Sequence, residues 1–121
     1  MLGNIDNWLG CAEEVLRCLY SMERPQRSHR YLWRCEQIVD SALRINPDNP
    51  QGNYLKGVYQ YAFQYGGNEE ALQYLENAVR LDPHNVEYRE DRDLVQRSVD
   101  AEREYRQAHG PLSALHGIRV F

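Results

Sequence analysis

Cysteine and histidine could supply metal ligands, nucleophiles or bases in this chain, but their spacing favours none of these roles. Cys11 and Cys18 lie two turns apart on one predicted helix. That spacing separates them by about 10 Å, which is too far for a disulfide or a shared metal ion. We interpret them as buried structural thiols. The histidines show no ligand spacing; they are His29, His84, His109 and His116.

Motifs of other catalytic chemistries are also missing from the sequence. It contains no glycine-rich phosphate loop, no H-E-x-x-H and no G-x-S-x-G. We therefore predict a protein that is not an enzyme, with no catalytic residue, no metal and no cofactor.

One concentrated basic stretch could bind an acidic partner segment or RNA. Its arginines are interleaved with Tyr31 and Trp33, and they are Arg24, Arg27, Arg30 and Arg34. The alternative is a solvated helix face balanced by nearby glutamates. The net charge of −4 argues against general binding of nucleic acid or anionic membrane.

The elements that would position such residues are helices. Residues 68–85, NEEALQYLENAVRLDPHN, have apolar residues at helical spacing, with Asn68 as N-cap and Pro83 as the stop. Ala71 and Ala78 are small residues on one face of this helix. We expect them to let another helix come very close, as in a tight helical hairpin.

An internal repeat supports this interpretation. The segment ALRINPDNP at residues 42–50 resembles AVRLDPHNV at residues 78–86, and such self-similarity is typical of stacked helical repeats. The chain resembles the tetratricopeptide repeat (TPR) family, whose units contain about 34 residues. The clearest unit is 52–85, in which four residues match the consensus: Ala71, Leu75, Ala78 and Pro83. This alignment puts Tyr59 where the family usually has glycine.

The resemblance implies an all-α fold of antiparallel helical hairpins, stacked as a TPR-like right-handed solenoid. We expect one helical domain over 1–110, with hairpins at 5–45 and 51–82 and a capping helix at 86–108. The predicted apolar stripe of the capping helix is Leu94, Val95, Ala101, Tyr105 and Ala108. An apolar tail follows at 111–121.

The third helix suggests a binding site. It is apolar over most of its circumference, as in a helix packed between others. Its polar residues form one narrow stripe, namely Asn53, Lys56, Gln60 and Gln64. The resemblance implies that this stripe lines a concave groove and contacts a partner; the alternative is a plain solvated edge. The next candidates for partner binding are Arg27, Arg30 and Arg34.

Composition is that of an ordinary single domain, with 42% hydrophobic and 26% charged residues in a chain of 121. No apolar run approaches the roughly 20 residues needed to span a bilayer, and the N-terminus lacks signal-peptide features. The three cysteines have no paired spacing. We therefore expect an intracellular, cytoplasmic protein that does not bind membranes.

The leading functional hypothesis is a protein–protein interaction module. It would bind a peptide or helix of a partner protein in the groove or at an extended first hairpin. The alternative is a self-associating scaffold subunit, a homodimer whose tail docks on another copy. The tail could also lie in its own groove or be a frayed end; its apolar residues are Leu112, Leu115, Ile118, Val120 and Phe121. We do not expect nucleic acid as a partner.

Overall fold

The computed structural model describes residues 5–20, 29–63 and 68–109. These residues form helices, with short turns at 46–49 and 82–85. The helices are α1 (Ile5–Tyr20), α2 (His29–Ile45), α3 (Pro50–Phe63), α4 (Asn68–Leu81) and α5 (Val86–His109). No strand occurs among the described residues, so the predicted all-α class is confirmed. Residues 21–28, at the tip of the first predicted hairpin, residues 64–67 and the predicted tail at 111–121 lie outside the described residues.

The turns after α2 and α4 carry the same backbone hydrogen bonds. The Asn46 amide donates to the Ala42 carbonyl, and the Asp82 amide donates to the Ala78 carbonyl, both at 2.9 Å. Each bond closes the last turn of a helix at a position where the two similar sequence segments align. The two segments therefore end their helices in the same way.

The same correspondence extends to the starts of the next helices. The Asn49 side-chain oxygen accepts a 2.9 Å hydrogen bond from the Gly52 amide, at the N-terminus of α3. The Asn85 side-chain oxygen accepts a 3.1 Å hydrogen bond from the Tyr88 amide, at the N-terminus of α5. Both asparagines thus cap a helix by satisfying an amide that has no partner within the helix.

The core lies around α3, which contacts each of the other four helices. This is expected for a helix that is apolar over most of its circumference. Ala71 and Ala78 are buried, as predicted, and so is Ala42, which matches Ala78 in the earlier of the two similar segments. The largest fully buried side chains are Leu9, Val39, Leu55, Leu75, Val95 and Val99.

The closest approach of α3 to α4 is at Gly57. A Cβ atom added to Gly57 would lie 2.7 Å from Leu75 Cγ and 3.0 Å from the Ala71 carbonyl oxygen. Real Cβ atoms essentially never come closer than 3.0 Å to another heavy atom, so the approach to Leu75 is too close. The small residue that permits this helix contact is therefore Gly57, two positions before Tyr59.

The predicted apolar stripe of α5 is only partly right. Among its members Val95 is buried, whereas Leu94 is 42% exposed and Tyr105 is 47% exposed. The buried face of α5 is instead formed by Tyr88, Val95 and Val99. Helix α5 thus packs through one apolar face and exposes another.

Within the described ranges, none of the helices is long and apolar enough to cross a membrane.

Candidate functional site

A cavity of about 350 Å³ opens between α1, α3 and α5, with α4 beneath it. This volume falls at the small end of the range for ligand sites, roughly 300–1,000 Å³. Its lining residues are Glu13, Arg17, Tyr54, Leu55, Val58, Tyr61, Ala62, Leu75, Asp91, Leu94 and Val95.

The interior of the cavity is apolar. Leu55, Leu75 and Val95 are buried residues that form part of its lining. Val58 of α3 and Leu94 of α5 also line it. An apolar side chain placed here would leave water, at roughly 25 cal/mol per Å² of buried area.

Two tyrosines of α3 border the cavity and are bonded to α5. The Tyr54 hydroxyl donates a 2.6 Å hydrogen bond to Asp91 Oδ2, and Tyr61 Oη lies 2.9 Å from Ser98 Oγ. Burial, together with the hydrogen bond to Asp91, raises the pKa of Tyr54 well above its usual value. Tyr54 therefore keeps its proton, and its hydroxyl fixes the position of the Asp91 carboxylate.

The edge of the cavity near α1 is negatively charged. Arg17 of α1 is ion-paired with Glu87 of α5, and it lies 3.8 Å from Glu13. The hydrogen bond that the Arg17 guanidinium donates to Glu87 raises the pKa of Arg17, so the arginine stays charged. Asp91 also lines the cavity, so this edge carries three carboxylates and one guanidinium. The net negative charge favours a ligand that carries a positive charge next to its apolar part.

The structure places the predicted polar stripe of α3 elsewhere. Asn53 is only 2% exposed, and its amide donates 2.9 Å hydrogen bonds to the Pro47 and Asn49 carbonyls. Gln60 is also buried, and it donates to Glu70 at 3.1 Å. The expectation that these two side chains face an open groove is therefore wrong. Asn53 instead stabilises the turn between α2 and α3, and Gln64 lies outside the described residues.

Lys56 is likewise held within the chain. Its ammonium lies 2.9 Å from Asp40 and 3.4 Å from Glu36, both on α2, and its side chain is 12% exposed. Burial lowers the pKa of Lys56, but the hydrogen bonds and charges of Asp40 and Glu36 raise it more, so the net shift is upward. Lys56 therefore joins α3 to α2, and its contact with a partner stays a prediction.

The arginines proposed for partner binding are less fully described. Arg34 is exposed on α2, next to Trp33, which is 57% exposed. Arg30 belongs to α2, although its side chain is outside the description, and Arg27 falls outside the described residues. Partner binding by these arginines stays a prediction.

The cysteines differ from one another in exposure. Cys11 is exposed, so its interpretation as a buried thiol is wrong, whereas Cys35 is buried. The Cys35 thiol lies 3.8 Å from the Ala12 carbonyl, and burial raises its pKa. The side chain of Cys18 is not among those described. In the described part of the chain, no group of three or more His, Cys, Asp or Glu residues could hold a metal ion.

The cavity uses a face of α3 that the sequence interpretation treated only as apolar surface. Tyr54, Val58 and Tyr61 recur at the spacing of one helix face, which was the available signal. Their aromatic and aliphatic character indicates a core face, and this pattern alone does not indicate a binding site.

In comparisons with known proteins, no family model, no curated protein and no solved structure matches the chain.

Proposed function

We propose that the five helices form a TPR-like right-handed stack of antiparallel hairpins, with α1, α3 and α5 as its inner layer. Helices adjacent in sequence contact one another, and α3 also contacts both α1 and α5. The identical turns at Ala42–Asn46 and Ala78–Asp82 support two equivalent units. Gly57 would then be the small residue of the second unit, in place of Tyr59.

This protein acts as a protein–protein interaction module and not as an enzyme. The observation that carries the proposal is the cavity between α1, α3 and α5, which combines an apolar interior with an acidic edge. A peptide or helix of a partner protein inserts an apolar side chain between Val58 and Leu94. A neighbouring basic residue of the partner lies against Glu13 and Asp91.

Selection from a random peptide library tests this function with a defined probe. We expect the selected peptides to carry an apolar residue close to Lys or Arg. Ala62→Phe, which fills the cavity, should abolish their binding, and Glu13→Lys should weaken it. Glu76→Lys, an exposed position on α4 away from the cavity, is the control and should leave affinity unchanged.

Two results would reject the proposal. The first is selection of no peptide that binds the chain. The second is equal affinity of the selected peptides for Ala62→Phe and for the unsubstituted chain, which would exclude the cavity as their site.

Self-association as a scaffold subunit is the second candidate function. It is favoured by two exposed tryptophans, Trp8 on α1 and Trp33 on α2, each 57% exposed. Tryptophan is enriched at protein interfaces because its large ring gains much from burial. Mass in solution separates the two functions, since a scaffold subunit must be an oligomer and an interaction module can be a monomer.

A further inference from the structure

A second apolar face runs along α5. It consists of four residues spaced seven, four and three positions apart, and this spacing places them on one face of the helix. All four are exposed, and we call them the outer stripe: Leu94, Ala101, Tyr105 and Ala108. At its N-terminal end the stripe enters the cavity, because Leu94 is part of the cavity lining.

The outer stripe is separate from the packed face of α5. Leu94 and Val99 are five residues apart, which turns the side chains about 140° from one another around the helix. Val99 is buried together with Tyr88 and Val95. The outer stripe has no such cover among the described residues, so α5 offers an open apolar track that leads into the cavity.

The segment that follows α5 has the composition to cover this track. Residues 111–121 contain five large apolar residues, and Arg119 is their one formally charged side chain. Gly110 and Pro111 separate the segment from α5, and this pair favours a change of chain direction. A reversal there would lead the segment back along α5.

The length of the segment also fits. Along α5, Leu94 lies about 21 Å from Ala108 at the rise of an α-helix. Residues 111–119 in an extended conformation reach about 26 Å. An extended segment therefore reaches the cavity, whereas a helical one of the same length spans only about 12 Å and does not.

We infer that residues 111–121 of this chain lie back along α5, cover the outer stripe and fill the cavity, with Arg119 against its acidic edge. The charges complement one another there, because Glu13, Glu87 and Asp91 exceed the single charge of Arg17. The segment would then occupy the cavity in the free protein, and a partner would have to displace it. The inference does not rest on the proposed function, since it concerns the chain by itself.

Photocrosslinking of the full chain tests this placement. Benzoylphenylalanine replaces Phe121, the protein is irradiated without any partner, and the crosslinked peptides are mapped by mass spectrometry. We expect crosslinks within one chain to residues 13–17 and 87–98. The same probe at Gln73, an exposed position on α4, is the control and should not crosslink to those residues.

Variants of the probe-bearing chain test the forces involved. Leu115→Ser should lower the crosslink yield because it removes apolar contact. Arg119→Glu should lower the yield up to about fivefold, since an exposed ion pair is weak, and Arg119→Lys should restore it. A yield no higher than at Gln73 would overturn the inference, as would crosslinks mainly between two chains. A yield unaffected by both Leu115→Ser and Arg119→Glu would overturn it as well.

Discussion

The Tyr54 hydroxyl and the Asp91 carboxylate join α3 to α5 through a 2.6 Å hydrogen bond at the border of the cavity. The Tyr54 ring also stacks on Tyr88, with ring centroids 4.4 Å apart and planes inclined by 20°. One side chain of α3 thus contacts α5 through both its ring and its hydroxyl. The position of the α5 wall therefore depends on Tyr54.

Replacing Tyr54 by phenylalanine should destabilise the fold by about 1–3 kcal/mol, because a hydrogen bond to a partly buried carboxylate is lost. The ring stack with Tyr88 would be kept. Chemical denaturation measures the change. Tyr74→Phe on α4 is the matched control and should change stability by less than about 0.5 kcal/mol. Equal effects of the two substitutions would contradict the importance of the Tyr54–Asp91 bond.

Stability should fall at alkaline pH because of buried tyrosines. Burial raises the pKa of Tyr88 to about 12, and Tyr54 shifts in the same direction. In the unfolded chain tyrosine loses its proton near pH 10, so stability is unaffected below that pH. Between about pH 10 and 12 the unfolding free energy should fall by about 1.4 kcal/mol per pH unit for each such tyrosine. Denaturation midpoints across this range measure it, and Tyr88→Phe should show a shallower fall. If the unfolding free energy of Tyr88→Phe falls with pH as steeply as that of the unsubstituted chain, the raised pKa of Tyr88 is contradicted.

Two glycine substitutions should have opposite effects. Gly57→Ala places a Cβ atom against Leu75 and the Ala71 carbonyl, and overpacking of this kind is destabilising by about 1–3 kcal/mol. Gly10→Ala on α1 meets no atom within 4 Å. It should stabilise the helix by about 0.5–1 kcal/mol, because alanine is the better helix former. Thermal unfolding of both variants checks the signs, and a stabilising Gly57→Ala would disprove the close contact of α3 with α4.

Lys56 should matter for stability more than a surface lysine does. Lys56→Gln leaves Glu36 and Asp40 close together without their cation, and we expect a loss of about 1–3 kcal/mol. Arg80→Gln removes one positive charge from an exposed site on α4 and should have an effect of less than about 1 kcal/mol. Denaturant titrations of both variants give the comparison. Losses of equal size would mean that the Lys56 ion pairs contribute nothing beyond surface charge.

The helices and their small-residue contacts were predictable from local sequence. Helical spacing, Asn68 at a helix start and proline after a helix end are signals confined to a few neighbouring residues. Ala42 and Ala78 could be assigned to the core because an alanine that recurs on one face suits a close helix contact. Their burial confirms that assignment.

The side of α3 that lines the cavity was not predictable, because it depends on how α3 packs against its neighbouring helices. The alignment with the TPR family put Tyr59 at the glycine position, whereas Gly57 makes the close contact. Two residues turn a helix through about 200°, so the alignment and the observed close contact point to nearly opposite faces of α3. The groove prediction for Asn53 and Lys56 rests on their polarity alone, and a polar side chain can equally bond within the chain. Asn53 bonds to the turn after α2, and Lys56 pairs with α2 itself.

The sequence also does not predict which apolar face of α5 packs against the other helices. Leu94 and Val95 are adjacent apolar residues, and sequence alone does not tell which of them packs against a neighbouring helix. The packed face includes Val99 and Tyr88, and the latter also depends on the ring stack with Tyr54. Only the position of α3 in three dimensions decides between the two faces.

The order of the helices in space follows their order in the chain, and this has a consequence for folding during synthesis. Helices α1 to α4 can pack together while α5 is still inside the ribosome, because their mutual contacts do not involve it. The cavity between α1, α3 and α5 needs Asp91, Leu94 and Val95 for one wall. A nascent chain therefore cannot engage a ligand at this cavity until its last described helix has emerged.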